Sequence, residues 1–154
     1  MRDEIINGDY IKNLKHLKLE STLRFVGLPK IDSDEKSPSP YRLIFNWLRD
    51  NGVRRIIELF VEDVGENPQS DQNIVGCLEG LKVETLNWQR TDMPGWVVHK
   101  TVCDSVKELH LYSSGNRAVL TGWSCKHQLP ALPEVSRRDD LLATPYFFEI
   151  PTHT

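Results

Sequence analysis

The sequence lacks what several protein classes need. Of 154 residues, three are cysteine and two are methionine. Cys77, Cys103 and Cys125 are an odd set without a paired framework, so a disulfide-stapled secreted domain is not expected. Cys77 and Cys103 sit inside apolar periodic stretches and read as buried, reduced thiols. Cys125 with His127 could open a metal site, but no second Cys/His cluster completes four ligands. No metal and no cofactor is therefore expected. Long apolar runs are missing too. The longest, Ile56–Ile57 and Leu59–Val61, are far too short to cross a bilayer. Neither sign of charge dominates: 19 basic and 22 acidic residues give a net charge of −3. That balance points away from nucleic acid and from anionic membrane surfaces. Acidic residues follow Met1–Arg2 where a signal peptide would turn apolar, so a cytoplasmic location is expected.

What is present is an ordinary globular composition, 39% hydrophobic and 27% charged, in a length that suits one domain. Residues 1–20 carry Ile11, Leu14 and Leu17 among lysines at helical spacing, and read as an N-terminal amphipathic helix. Residues 21–125 alternate strand and helix signals. Ser21–Leu28 is rich in strand formers and stops at Pro29. Ser39 and Pro40 open the clearest helix, with Tyr41, Ile44, Phe45 and Leu48 on one face and Gly52 at its end. Val53–Val61 is the strongest strand, apolar enough to be covered on both faces. Ser70 or Asp71 caps a second helix that carries Ile74, Val75 and Leu78. Val83–Trp88 is a strand, Gly95–Ser105 a helix and Val106–Tyr112 another strand. Ser113–Asn116 turns into a short helix that runs through Trp123.

Strands separated by helices imply parallel pairing with right-handed crossovers. The expected fold is a three-layer α/β/α sandwich with a mostly parallel sheet of four or five strands, flavodoxin-like or Rossmann-like in outline. The strand starts recur at intervals near those of repeat proteins. The units lack the Leu/Asn spacing of the leucine-rich repeat, which argues against a solenoid. Residues 126–154 lose the periodicity. They form an extended tail, with Tyr146, Phe147, Phe148 and Ile150 as an edge strand, a packed tail or a docking peptide.

In an open parallel sheet, ligands bind beyond the carboxyl ends of the strands, near a switch in strand order. Glu62, Asp63, Trp88, Asp92, Ser114 and Asn116 fall there and are the candidate ligand-binding residues. Loop polarity that solvates helix starts accounts for the same pattern. The turn at Ser113–Asn116 could present N–H groups to an anion. It lacks the Lys-Ser/Thr ending of a phosphate loop and the three glycines of a dinucleotide fingerprint. A phosphoacceptor site fails because the third strand ends in Asn87-Trp88, without an acid. A serine hydrolase fails for want of a Gly-x-Ser-x-Gly elbow. His99 falls mid-helix and His110 on the polar position of an alternating strand, so both read as surface or satisfied residues, and Cys103 as a nucleophile would need a neighbouring base that spacing alone does not supply. Trp96, beside Pro94 and Gly95, is a candidate interface aromatic together with Tyr146, Phe147 and Phe148.

One stretch is specific enough to carry a likeness. Gly52-Val53-Arg54-Arg55-Ile56-Ile57 runs into an acidic strand end, and Ser70-Asp71 opens a helix. Val83-Glu84 leads to Trp88 and Asp92. Val106-Lys107-Glu108-Leu109-His110-Leu111-Tyr112 precedes Ser114-Gly115-Asn116, Ala118-Val119-Leu120 and Trp123-Ser124. This half of the chain resembles the α/β accessory segment upstream of the subtilisin-like protease domain in certain fungal intracellular proteins. The resemblance implies a fungal source and a place beside a protease or in a multidomain receptor. The motifs around the subtilase Asp, His and Ser have no counterpart here, so no catalytic residue carries over.

These readings lead to one expectation, a non-catalytic protein-interaction or regulatory domain. It would bind a protein partner or a second copy of itself. The rival expectation is a binding protein or enzyme for a small, phosphorylated ligand in the crevice at the strand ends.

Overall fold

The computed structural model describes residues 14, 17–31, 39–101, 105–124, 136–137 and 144–149. Most of the helix expected over 1–20, the Cys125–His127 pair and most of the tail lie outside these residues; the described end of that segment, 17–20, is not helical. Along the chain come β1 (Thr22–Leu28), α1 (Pro40–Asp50), β2 (Arg55–Val61), α2 (Asp71–Leu78) and β3 (Lys82–Thr91). They are followed by α3 (Gly95–Thr101), β4 (Glu108–Ser113), α4 (Arg117–Ser124), β5 (Ser136–Arg137) and β6 (Thr144–Glu149).

The strands form one sheet in the order β1-β2-β3-β4-β6-β5. The first four run parallel, and β6 returns antiparallel to β4 and β5. This is the α/β class that the alternation predicts: a four-strand parallel sheet flanked by four helices. Two further strands beside β4 bring the total to six.

The parallel strands follow one another in chain order, so no order reversal falls between them and the crevice expected at a switch point has no such origin. Right-handed crossovers between sequential parallel strands place every connecting helix on one face. The helices agree, since α1 meets α2, α2 meets α3 and α3 meets α4. Among the described residues, the sheet's other face carries no helix.

Local chemistry explains these elements. Pro40 starts α1 at a position that needs no N–H. The Ser39 hydroxyl does not cap α1. It donates to Gln69 Oε1 at 2.5 Å and ties the start of α1 to the β2–α2 loop. Gly52 ends the helix at φ +87°, a backbone region that side chains disfavour. Ser70 caps α2 by accepting from Asn73 N–H.

The core follows one spacing in each unit. β2 buries Ile56, Leu59 and Val61. β3 buries Val83, Leu86 and Trp88. Around β4 the same three places hold Val106, Leu109 and Leu111. In β1, Leu23 and Val26 pack against the core and Leu28 is buried. The sheet register aligns Leu23, Ile56 and Val83 in one row, and Val26, Leu59, Leu86 and Leu109 in the next. This is the apolar L-x-x-L-x-L spacing of leucine-rich repeat strands. The position that carries Asn or Cys in such repeats holds Ile31, Val64, Thr91 and Ser114. The units thus carry the apolar spacing of such repeats and lack their Asn. Above these rows Trp88 stacks on Phe45 of α1, with ring centroids 6.1 Å apart.

Candidate functional site

The residues expected to line a crevice at the strand ends fall into two separate clamps. In the first, Asp63 follows β2 and is 2% exposed. Its Oδ2 accepts from Trp88 Nε1–H at 2.8 Å, and both oxygens accept from the backbone N–H of Gln69 at 3.0 and 3.1 Å. Burial pushes the Asp63 carboxyl above its ordinary value. The Trp88 and Gln69 donors, with Arg90 and Lys30 nearby, pull the other way and do not cancel it. Trp88 is 1% exposed. This pair therefore closes the core at the β2–β3 end and offers no aromatic wall to a ligand.

In the second clamp, Asp92 stands at φ +55°, an uncommon conformation for a residue with a side chain. Its carboxylate accepts from Ser114 N–H at 3.0 Å and from the Ser114 hydroxyl at 2.5 Å. Asp92 N–H donates to Tyr112 O at 2.8 Å. The loop after β3 is thereby bound to the loop after β4. Asn116 Oδ1 accepts from Ala118 N–H at 3.0 Å and so caps α4. Glu62 lends its carbonyl to the Tyr41 hydroxyl at 3.0 Å, while its side chain remains partly exposed. Of the six candidates, two pairs meet, Asn116 serves its own helix, and Glu62 stands between the strand ends and the sheet's open face.

Trp96, at the start of α3, is 42% exposed. Tyr146, Phe147 and Phe148 lie on β6, where their backbones pair with Leu111, His110 and Leu109. Their side chains lie outside what is described. Among the described residues no three His, Cys, Asp or Glu side chains gather as a metal site. None of the described helices is long and apolar enough to cross a membrane.

Cys77 in α2 is wholly buried, and burial raises its thiol to about 12. A thiol at that value has roughly one molecule in ten thousand ionised at pH 8, and the thiolate is the reactive form. Iodoacetamide should therefore leave the Cys77 peptide unmodified in the native protein and label it only in denaturant. Mass spectrometry of that peptide is the check. Rapid native labelling would show a reactive cysteine.

The polar residues that reach the surface together are elsewhere, on the sheet face away from the helices. The register sets Phe25, Glu58, Thr85 and Glu108 in one row, and Gly27, Phe60, Asn87 and His110 in the next. Phe25 is 58% exposed. Its ring lies over Gly27, where an added Cβ would come within 2.7 Å of it. Glu58 is exposed, and Phe60, Thr85, Asn87, Glu108, His110 and Tyr112 are part-exposed. The Tyr112 hydroxyl donates to Asn87 Oδ1 at 2.8 Å. His110 Nε2 lies 2.6 Å from Glu108 Oε1, and the Glu108 side chain is 43% exposed. A carboxylate beside an imidazole orients the ring. Here the carboxylate is open to solvent, so the pair lacks the dry surroundings that strengthen acid–base chemistry.

Sequence reasoning aimed at the strand ends and missed this face. The signal that finds it is the L-x-x-L-x-L spacing. Once positions such as 59 and 61 are assigned to the core, residues 58 and 60 beside them must face away from it. Comparison with family models, with curated proteins and with solved structures finds no match to this chain.

Proposed function

We propose that the chain is a non-catalytic protein-interaction domain that binds through the open face of its sheet. The observation that carries this reading is Phe25, a large apolar side chain 58% exposed at the head of one of two aligned rows and lying over Gly27, the head of the other. Solvent-exposed aromatics in such a setting mark binding surfaces. Stacked strand–helix units use the surface opposite their helices in this way. The carboxylates Asp63 and Asp92 support it from the other side, because their hydrogen bonds hold the protein together. The resemblance to segments upstream of fungal subtilisin-like domains fits an accessory binding module, and a place beside such a protease is part of the proposal.

The test is affinity capture from source-cell extract with two baits, the natural chain and Phe25→Asp/Phe60→Asp. The natural chain should retain a partner that the variant loses at unchanged folding by circular dichroism. A partner kept equally by both baits would move the binding surface away from this face. A thermal-shift screen with nucleotides and sugar phosphates tests the small-ligand alternative. Stabilisation abolished by Ser114→Ala would favour that alternative and count against the interaction reading.

A further inference from the structure

We infer that β1 is the seam of a two-fold dimer, in which the edges of two copies pair antiparallel and each copy adds its Phe25 to the other's open face. This extends the interaction reading above, because the dimer joins two open faces into one. The two edges of the sheet are β1 and β5, and they differ. β5 is two residues long, and short edge strands resist pairing with another chain. β1 is seven residues long and holds no proline, no lysine and no acid; its one charge is Arg24. Among the described residues nothing pairs with its outer edge. Thr22, Arg24, Phe25 and Gly27 are all exposed. A row of free backbone N–H and C=O groups is a template for one more strand. The core is also less covered on this side. The three core positions of β2 and of β3, and the three around β4, are 3% exposed or less, whereas Leu23 and Val26 are part-exposed. A stacked array needs its end layer covered.

The occupant is a second copy because β1 complements itself. An antiparallel two-fold centred on Phe25 sets Phe25 against the partner's Phe25. The same register sets Arg24 against Val26, Leu23 against Gly27 and Thr22 against Leu28. Residues directly opposed in antiparallel strands project to the same face and touch. The two exposed rings therefore meet on the open face, where an aromatic pair adds to the backbone hydrogen bonds. Each Arg24 meets an aliphatic side chain instead of its own copy, so the pairing opposes no like charges. Two-fold symmetry makes each of these matches twice. A seam of one short strand is small beside the ~1,600 Å² of a standard interface, so the dimer forms reversibly as concentration rises.

Sedimentation of the full chain across a wide concentration range is the test. The natural chain should pass from monomer to dimer. Phe25→Lys and Phe25→Glu should each weaken association about tenfold or more, because each sets like charges face to face. Mixed in equal amounts the two variants should associate again, lysine against glutamate. Phe60→Asp lies one strand inward on the face and should dimerise as the natural chain does. Circular dichroism checks that all three variants fold, which the exposure of Phe25 favours. A natural chain that stays monomeric throughout would overturn the inference. So would a dimer lost through Phe60→Asp and kept by both Phe25 variants, since the copies would then meet face to face. Failure of the mixed variants to associate would overturn the pairing centred on Phe25. Should the natural chain stay monomeric while Phe60→Asp still costs it a captured partner, the interaction reading stands and the dimer falls.

Discussion

Replacing Trp88 with alanine should cost about 3–5 kcal/mol of folding stability, the range for buried tryptophan truncations. Trp88 sits where three parts of the fold meet. Its ring stacks on Phe45 of α1 and lies 6.2 Å from the Tyr41 ring, so truncation opens a cavity between sheet and helix layer. Its indole N–H is also a donor to Asp63, and losing it leaves a buried carboxylate with the Gln69 N–H alone. Denaturant unfolding followed by circular dichroism measures the loss. A change below about 1 kcal/mol would mean that the site collapses around the missing ring. The same carboxylate gives the protein a pH signature. Asp63 has a raised carboxyl value in the folded chain, so the folded state holds its proton at pH values where the unfolded chain has lost it. The stability this adds is full below the ordinary value of 3.8 and is lost as pH rises through the raised one. Asp63→Asn removes that component. The difference in stability between natural and variant chains should therefore be larger under acid conditions than at neutral pH. An Asn also turns an N–H towards donors that a carboxylate would accept, which adds a cost at every pH.

Much of this arrangement is legible in the sequence, and the reasons are local. Pro40 and the spacing of Tyr41, Phe45 and Leu48 encode α1 directly, and Ser70 encodes the start of α2. The nearly continuous apolar run Ile56 to Val61, broken only by Glu58, identifies a parallel strand. It also hides which side chains face the helices, because an apolar run carries no alternation. Phe60 looks as much like core as Leu59 does. Only the alignment of Leu59 with Val26, Leu86 and Leu109 separates them. That alignment is a long-range fact, fixed by strand order. The disposition of the strand-end residues is hidden from the sequence for a related reason. Asp63, Trp88, Asp92 and Ser114 do gather at strand ends, as the general rule for open parallel sheets predicts. Whether such groups face solvent or one another depends on loop geometry. Here Asp63 reaches inward to Trp88 and Asp92 reaches across to Ser114. The sequential strand order had no local marker beyond the repeated apolar spacing, since helix lengths and loops differ from unit to unit.

Leu59→Ala and Phe60→Ala should behave very differently although the residues are adjacent in one strand. Leu59 is wholly buried in the middle of the row formed by Val26, Leu86 and Leu109, under the helix layer. Its truncation removes methyl groups from a space closed by α1 and α2, and should cost about 2–5 kcal/mol. Phe60 points to the face that no described helix covers and is only part-buried. Its truncation should cost less than about 1 kcal/mol, because little surface is taken from a closed space and no sealed cavity remains. Thermal and denaturant unfolding of the two variants decides the matter. Comparable losses would mean that a further layer closes over Phe60, and the aromatic row would then be core. A large loss at Leu59 with near-native stability at Phe60 leaves Phe60, Phe25 and Glu58 available to another molecule. A protein that forgoes the burial of two phenylalanines gives up roughly 1.5–3 kcal/mol for each ring left uncovered. Binding recovers that energy when a partner's apolar groups cover the rings, so the same measurement that locates the core also bounds what the open face can contribute to association.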